Sequence, residues 1–114
     1  MISFKLDKVE RDEIIVLQDM VADYTKSKDL VSASDIILSS CIGQQLYKFF
    51  RTKTEAHQTI HTFTLKPSWA IILYRSCLQQ WFSTDRTEYE INVARKYSAI
   101  LDNKIKNINL TIKS

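Results

Sequence analysis

At 114 residues, with 45% hydrophobic and 25% charged residues and a formal net charge of +3, the chain has the size and composition of one globular domain. It holds one glycine, Gly43, and one proline, Pro67, where average usage would place about eight and about six. That scarcity excludes glycine-rich phosphate loops, dinucleotide fingerprints and nucleophile elbows, which need two or more glycines, and it favours long helices over tight turns.

Taken in chain order, Ile2, Phe4 and Leu6 alternate with Ser3 and Lys5, which predicts a short half-buried strand over 2–6. Asp7-Lys-Val-Glu10 matches a capping box. It precedes a broad apolar stripe at helical spacing, Ile14, Leu17, Val21 and Tyr24 with Ile15 and Met20. Ser32-Ala-Ser-Asp35 offers a second box for a helix running to about Phe50 and burying Ile37, Cys41, Ile42, Leu46 and Phe49. Gly43 inside it costs about 1 kcal/mol relative to Ala, which points to a close helix crossing, with a left-handed cap as the alternative.

The polar run Thr52–Gln58 reads as a connector. His61, Phe63 and Leu65 then alternate with Ile60, Thr62 and Thr64 as a second strand. Pro67 suits the first position of a third helix carrying Trp69, Ile72, Leu73, Leu78, Trp81 and Phe82, expected to be the most buried element. Two overlapping start signals, Asp85 to Glu88 and Thr87 to Glu90, precede a fourth helix with the stripe Ile91, Ala94, Tyr97, Leu101, Ile105 and Ile108. The alternation over 107–112 reads as either a third strand or a frayed tail over 107–114.

These elements predict a mainly helical α+β fold: a single domain over 1–114 with about four principal helices and a small antiparallel sheet of two or three strands. The two halves also resemble one another. Phe4-Lys-Leu6 matches Phe63-Thr-Leu65, and after a two-residue gap Ile14, Ile15, Val16, Met20, Val21 and Tyr24 align with Ile71, Ile72, Leu73, Cys77, Leu78 and Trp81. Each half would then be one β-α-α repeat.

Chemistry-bearing patterns are few. His57 and His61 are four apart, but a strand spreads that interval over about 13 Å, which disfavours a shared metal. Ser39-Ser40-Cys41 has neither an elbow nor a base beside it. The pairs Asp12-Glu13 and Glu88–Glu90 lie at helix starts, where dipole and capping account for them. Cys41 and Cys77 sit in apolar runs as free thiols, no leader-like apolar segment follows Met1, and the longest uncharged run is the 12 residues Ile36–Tyr47. A cytoplasmic, non-membrane protein is expected, with no metal, no cofactor and no enzymatic activity.

Two functions remain. The first is a protein–protein interaction module, self-association included, anchored by whichever of Phe49, Phe50, Trp81 and Phe82 escape the core. The alternative is a small nucleic-acid-associated regulator. Residues 48–75 carry five bases against one acid, as do residues 95–113, while residues 7–24 carry six acids against two bases. Its candidate contacts are the basic segments 48–53 and 95–106, with Lys48, Arg51 and Lys53 among aromatics.

Overall fold

The computed structural model describes residues 4–26 and 33–113, and for 33–40 and 107–113 it describes the backbone alone. The order is β1 (Phe4–Glu10), α1 (Arg11–Thr25), α2 (Ala33–Glu55), β2 (Ile60–Leu65), α3 (Pro67–Gln79) and α4 (Glu88–Lys113). The fold is thus mainly helical α+β, with four helices and one two-stranded antiparallel sheet. The segment over 107–112, read as either a third strand or a frayed tail, is instead the last part of α4, whose helical spacing outruns the local alternation.

β1 is longer than predicted. Strict alternation after Leu6 would turn Lys8 into the core. A β-bulge prevents this: Lys8 has a φ of 53°, and the register slips between Leu6 and Val9. Val9 therefore returns to the inner face beside Phe4 and Leu6, all buried, and pairing continues to Glu10 opposite Ile60. The capping box moves with it. Asp7–Glu10 stays extended, α1 opens after Glu10, and the Glu13 carboxylate accepts the Glu10 N–H at 3.0 Å. Glu is a weak N-cap, but Arg11 N–H donating to the Thr59 carbonyl at 2.8 Å holds the chain in the ribbon up to that point.

α2 runs one turn past its predicted end. Thr52 and Thr54 return their hydroxyls to the Lys48 and Arg51 carbonyls at 2.9 Å, and Arg51 pairs with Glu55 at 3.0 Å, so the polar run is a solvated helix end. Among its described side chains Leu46 and Phe50 are buried, Ile42 and Phe49 are half-buried, and Cys41 is exposed, contrary to expectation, because the inward stripe passes to one side of it. Ile37 and the Ser32–Asp35 box lie outside the described side chains. Gly43 marks a close crossing with α1: a Cβ there would collide with Thr25 Cγ2.

α3 starts at Pro67 as predicted but ends at Gln79, short of Trp81 and Phe82. Gln80, Trp81 and Ser83 instead donate to the carbonyls three residues back, tightening the chain into successive turns. Leu78 is exposed, so α3 is not the most buried element; α1 covers Ile14, Leu17, Met20 and Val21 completely. Of the two start signals before α4, Thr87–Glu90 is used. The Glu90 N–H donates to Thr87 Oγ1 at 3.2 Å and the Glu90 carboxylate accepts the Thr87 N–H at 3.1 Å.

The element order is β-α-α twice over. The pairing Phe4 with Leu65, Lys5 with Thr64 and Leu6 with Phe63 is unchanged when Phe4 is exchanged with Phe63 and Leu6 with Leu65. A local two-fold axis therefore passes between Lys5 and Thr64. In the helices the equivalence is one residue tighter than the apolar alignment suggests. Ile14 matches Ala70, Val16 matches Ile72, Leu17 matches Leu73, Met20 matches Ser76, Val21 matches Cys77 and Tyr24 matches Gln80, and every member of these pairs is buried. Small Ala70 and Ser76 occupy core places that matching by hydrophobicity passes over.

Candidate nucleic-acid interface

The two strands form a ribbon with one apolar and one polar face. Phe4, Leu6, Val9, His61, Phe63 and Leu65 point inward and are buried; Lys5, Asp7, Lys8, Glu10, Ile60, Thr62 and Thr64 are exposed, two bases and two acids among them. Alternation supplies this division, and the bulge keeps it intact past Leu6. Two contacts tie the polar face together: Lys5 Nζ lies 3.8 Å from Asp7, and the Lys8 N–H donates to Thr62 Oγ1 at 3.4 Å.

Charges of both signs border this face, with Glu10, Arg11 and Asp12 at the end beside Thr59 and Ile60 and lysines along its sides. Lys5 and Lys8 are on it, and Lys66 follows β2, its Nζ 4.9 Å from the centre of the Trp69 ring. A shallow cavity of about 230 Å³ beside β1 is lined by Lys5, Leu6, Asp7 and, from α4, Lys96, Tyr97, Ile100 and Lys104. Beside β2 the half-buried Phe49 packs on Phe63 and Trp69, with centroids 5.4 and 5.2 Å away, and Lys53 Nζ stands 5.3 Å over the Phe49 ring.

The two flanks are held by different chemistry at equivalent places. Next to β2, Trp69 Nε1 donates to Gln45 Oε1 at 3.2 Å. Next to β1, the nearly buried Glu13 carboxylate accepts from Lys96 Nζ and from the Tyr97 hydroxyl, both at 2.8 Å. Burial works against the charged form of Glu13, but Lys96, the Glu10 N–H and Tyr97 outweigh it and hold the carboxyl below its usual value. Burial, then the Glu13 carboxylate, raises the Tyr97 hydroxyl pKa.

The predicted partner aromatics separate. Phe50 is completely buried and belongs to the core, and Phe49 lies in the aromatic cluster beside β2. Trp81 is half-buried, its Nε1–H donating to Ser98 Oγ at 2.8 Å. Phe82 alone stands out, 86% exposed in the turn after α3. Of the predicted basic contacts, Lys48 and Arg51 are exposed, Arg51 being paired with Glu55, and Lys53 lies over Phe49. No contiguous run of bases among aromatics marks the strand face in the sequence, because the ribbon draws its polar residues from two segments far apart in the chain.

The turn carrying Phe82 is pinned by Arg86. Its nearly buried guanidinium bonds Asp19 at 2.8 Å, Glu90 and Gln80 at 2.9 Å, and Asp23. Burial disfavours this charge, but Asp19 and Glu90 reverse the effect and raise the Arg86 pKa. The cleft of about 510 Å³ around it is walled by these ion pairs.

His57 is exposed and His61 buried, on separate elements. Burial pushes the Cys77 thiol up to about 12, away from thiolate chemistry. Among the described residues, no group of three or more His, Cys, Asp or Glu side chains is placed to hold a metal, and no helix is long and apolar enough to cross a membrane. No family model matches the chain, and no curated protein or solved structure matches it either.

Proposed function

We propose that this chain is a non-enzymatic, duplex-DNA-binding regulatory protein of the cytoplasm that lays the polar face of its β1–β2 ribbon in the major groove. The observation that carries this reading is the ribbon itself: two strands, one face committed to the core, the other carrying Lys5, Asp7, Lys8, Glu10, Thr62 and Thr64, with Lys66 directly after β2 and Lys53 and Lys104 beside the strands. The major groove, about 12 Å wide, admits a two-stranded β-ribbon, and lysine, threonine and carboxylate side chains have matching partners on base edges. The local two-fold axis of the ribbon can coincide with that of the duplex, so each half of the protein meets one half of the site. The flanking lysines then neutralise phosphates. The basic segments 48–53 and 95–106 act here as flanks through Lys53 and Lys104, not as the reading surface.

The test is fluorescence anisotropy against a pooled duplex and a pooled single strand over a range of salt. Four or five phosphate contacts give a log–log slope of about −4 on the duplex. Replacing Lys5 and Lys8 by Ala should weaken duplex binding at least tenfold while leaving the melting temperature unchanged. Duplex binding indifferent to that double substitution would sink the reading.

Phe82 favours a second function, protein–protein interaction or self-association. An aromatic 86% exposed on a turn fixed by Arg86, beside the orientated Trp81, is a pre-organised anchor. Light scattering on Phe82→Ser decides it: loss of a dimer, with unfolding unaltered, supports the anchor. A monomer in both forms that captures no partner removes it.

A further inference from the structure

We infer that the DNA site of this chain is built of two unlike half-sites, G·C being read beneath Lys5 and a T-containing pair at the symmetry-related position beneath Thr64. The inference rests on the DNA-binding reading above and deepens it. A ribbon made from two copies of one chain carries the same side chain on both sides of its two-fold axis and so reads a palindrome. Here both strands belong to one chain, and the axis passes between two exposed residues of different chemistry, Lys5 and Thr64, which are paired across the ribbon. Lys5, whose Nζ lies 3.8 Å from Asp7 and must turn from it, is a donor only and matches the O6 and N7 acceptors of guanine; Thr64 offers a hydroxyl to either kind of edge and a methyl group to the thymine methyl. The scaffold beneath them is the same on both sides, since Phe4 and Leu6 are buried as Phe63 and Leu65 are. The reading residues therefore differ while their positions do not.

A second asymmetry points the same way. The bulge is confined to β1, where Lys8 has a φ of 53° and its N–H is bonded to Thr62, so Asp7, Lys8 and Glu10 lie toward one end of the ribbon while Lys66 follows the other.

The experiment is selection of the full-length protein against a random duplex pool, followed by anisotropy on the selected site and on two palindromes made by doubling each half. The expected consensus is asymmetric, with roughly tenfold discrimination at the Lys5 position. The variant Lys5→Thr should make the consensus symmetric and T-containing, and Thr64→Lys should make it symmetric and G-containing. Circular dichroism and thermal melting confirm that both variants fold. A palindromic consensus for the unaltered protein would overturn the inference but leave DNA binding standing. So would a Lys5→Thr variant weakened equally on every duplex, which marks a phosphate contact. Failure to enrich any duplex would overturn both.

Discussion

The two halves of the molecule, residues 4–55 and 60–113, build one scaffold from different side chains. At the centre of each second helix the core residues correspond in place: Leu46 and Phe50 in α2, Tyr97 and Leu101 in α4, all buried. Gly43 lies where α1 and α2 cross, and in the other half the small, buried Ala94 stands three residues before Tyr97 as Gly43 stands three before Leu46. Where the halves meet, the chemistry parts. One junction is neutral and aromatic, with Gln45 bonded to Trp69 and Phe49 stacked beside it. The other is charged, with Lys96 and Tyr97 on Glu13. Topology thus sets which places are buried and leaves side-chain size and the kind of interaction free.

The largest expected effects test the core equivalence. Phe50→Ala should cost about 3–5 kcal/mol and Leu101→Ala about 2–5 kcal/mol, because each empties a fully buried place. Urea unfolding would measure both. If one cost less than about 1 kcal/mol, that half would not share the common core.

The crossings come next. Gly43→Ala gains about 1 kcal/mol of helix propensity but forces Thr25 or the helix to shift, and overpacking of this kind costs about 1–3 kcal/mol. A net loss is expected, relieved in the double variant Gly43→Ala with Thr25→Ser, where the colliding methyl is absent. Ala94→Gly should lose about 1 kcal/mol through propensity alone. A Gly43→Ala variant more stable than the parent would show that α1 and α2 do not touch there.

How much of this was legible beforehand varies by element. The second strand, Pro67 as a helix start, the Thr87–Glu90 box and the Gly43 crossing follow from local chemistry, and the structure contains each of them. The end of β1 does not: the Lys8 bulge depends on pairing with a strand more than fifty residues away. The end of α3 is similar, since the turn holding Trp81 and Phe82 is fixed by Arg86 reaching Asp19 and Asp23 on α1. The repeat was visible, but one residue out of register, because Ala70 and Ser76 do not look like core. The ribbon as a site was invisible for want of any contiguous motif.

The junctions differ in their response to pH. Glu13 lies below its usual value in the fold, so its contribution is complete above the unfolded-state value of about 4.3. It is lost as pH falls through the lower folded-state value. Glu13→Gln should therefore cost about 1–3 kcal/mol at neutral pH and flatten the acid limb of the stability curve. Gln45→Ala, at the neutral junction, should cost about 0.5–1.5 kcal/mol at every pH. Parallel acid limbs for the parent and Glu13→Gln would place the acid-sensitive group elsewhere.

The smallest effect concerns the one polar side chain on the inner face of the ribbon. Five of the six inward residues are apolar; the sixth is His61, opposite Val9, and among the described residues no group bonds its buried Nε2. A buried polar atom without a hydrogen bond costs about 1–3 kcal/mol, whereas leucine of nearly equal volume would fill the same place with apolar atoms. His61→Leu removes that penalty, but it also removes whatever packing the flat ring achieves between the strands and helices, so the net gain should be near 1 kcal/mol. The same change should leave DNA affinity untouched, because the face proposed to meet DNA lies on the other side of the ribbon. Urea unfolding and anisotropy on one preparation check both halves of the statement. Stabilisation with unchanged affinity would separate the two faces of the ribbon, one for folding and one for recognition. A loss of affinity in a variant that folds normally would mean that the inner face also tunes the outer, through the bulge at Lys8 that lies beside His61 in the register.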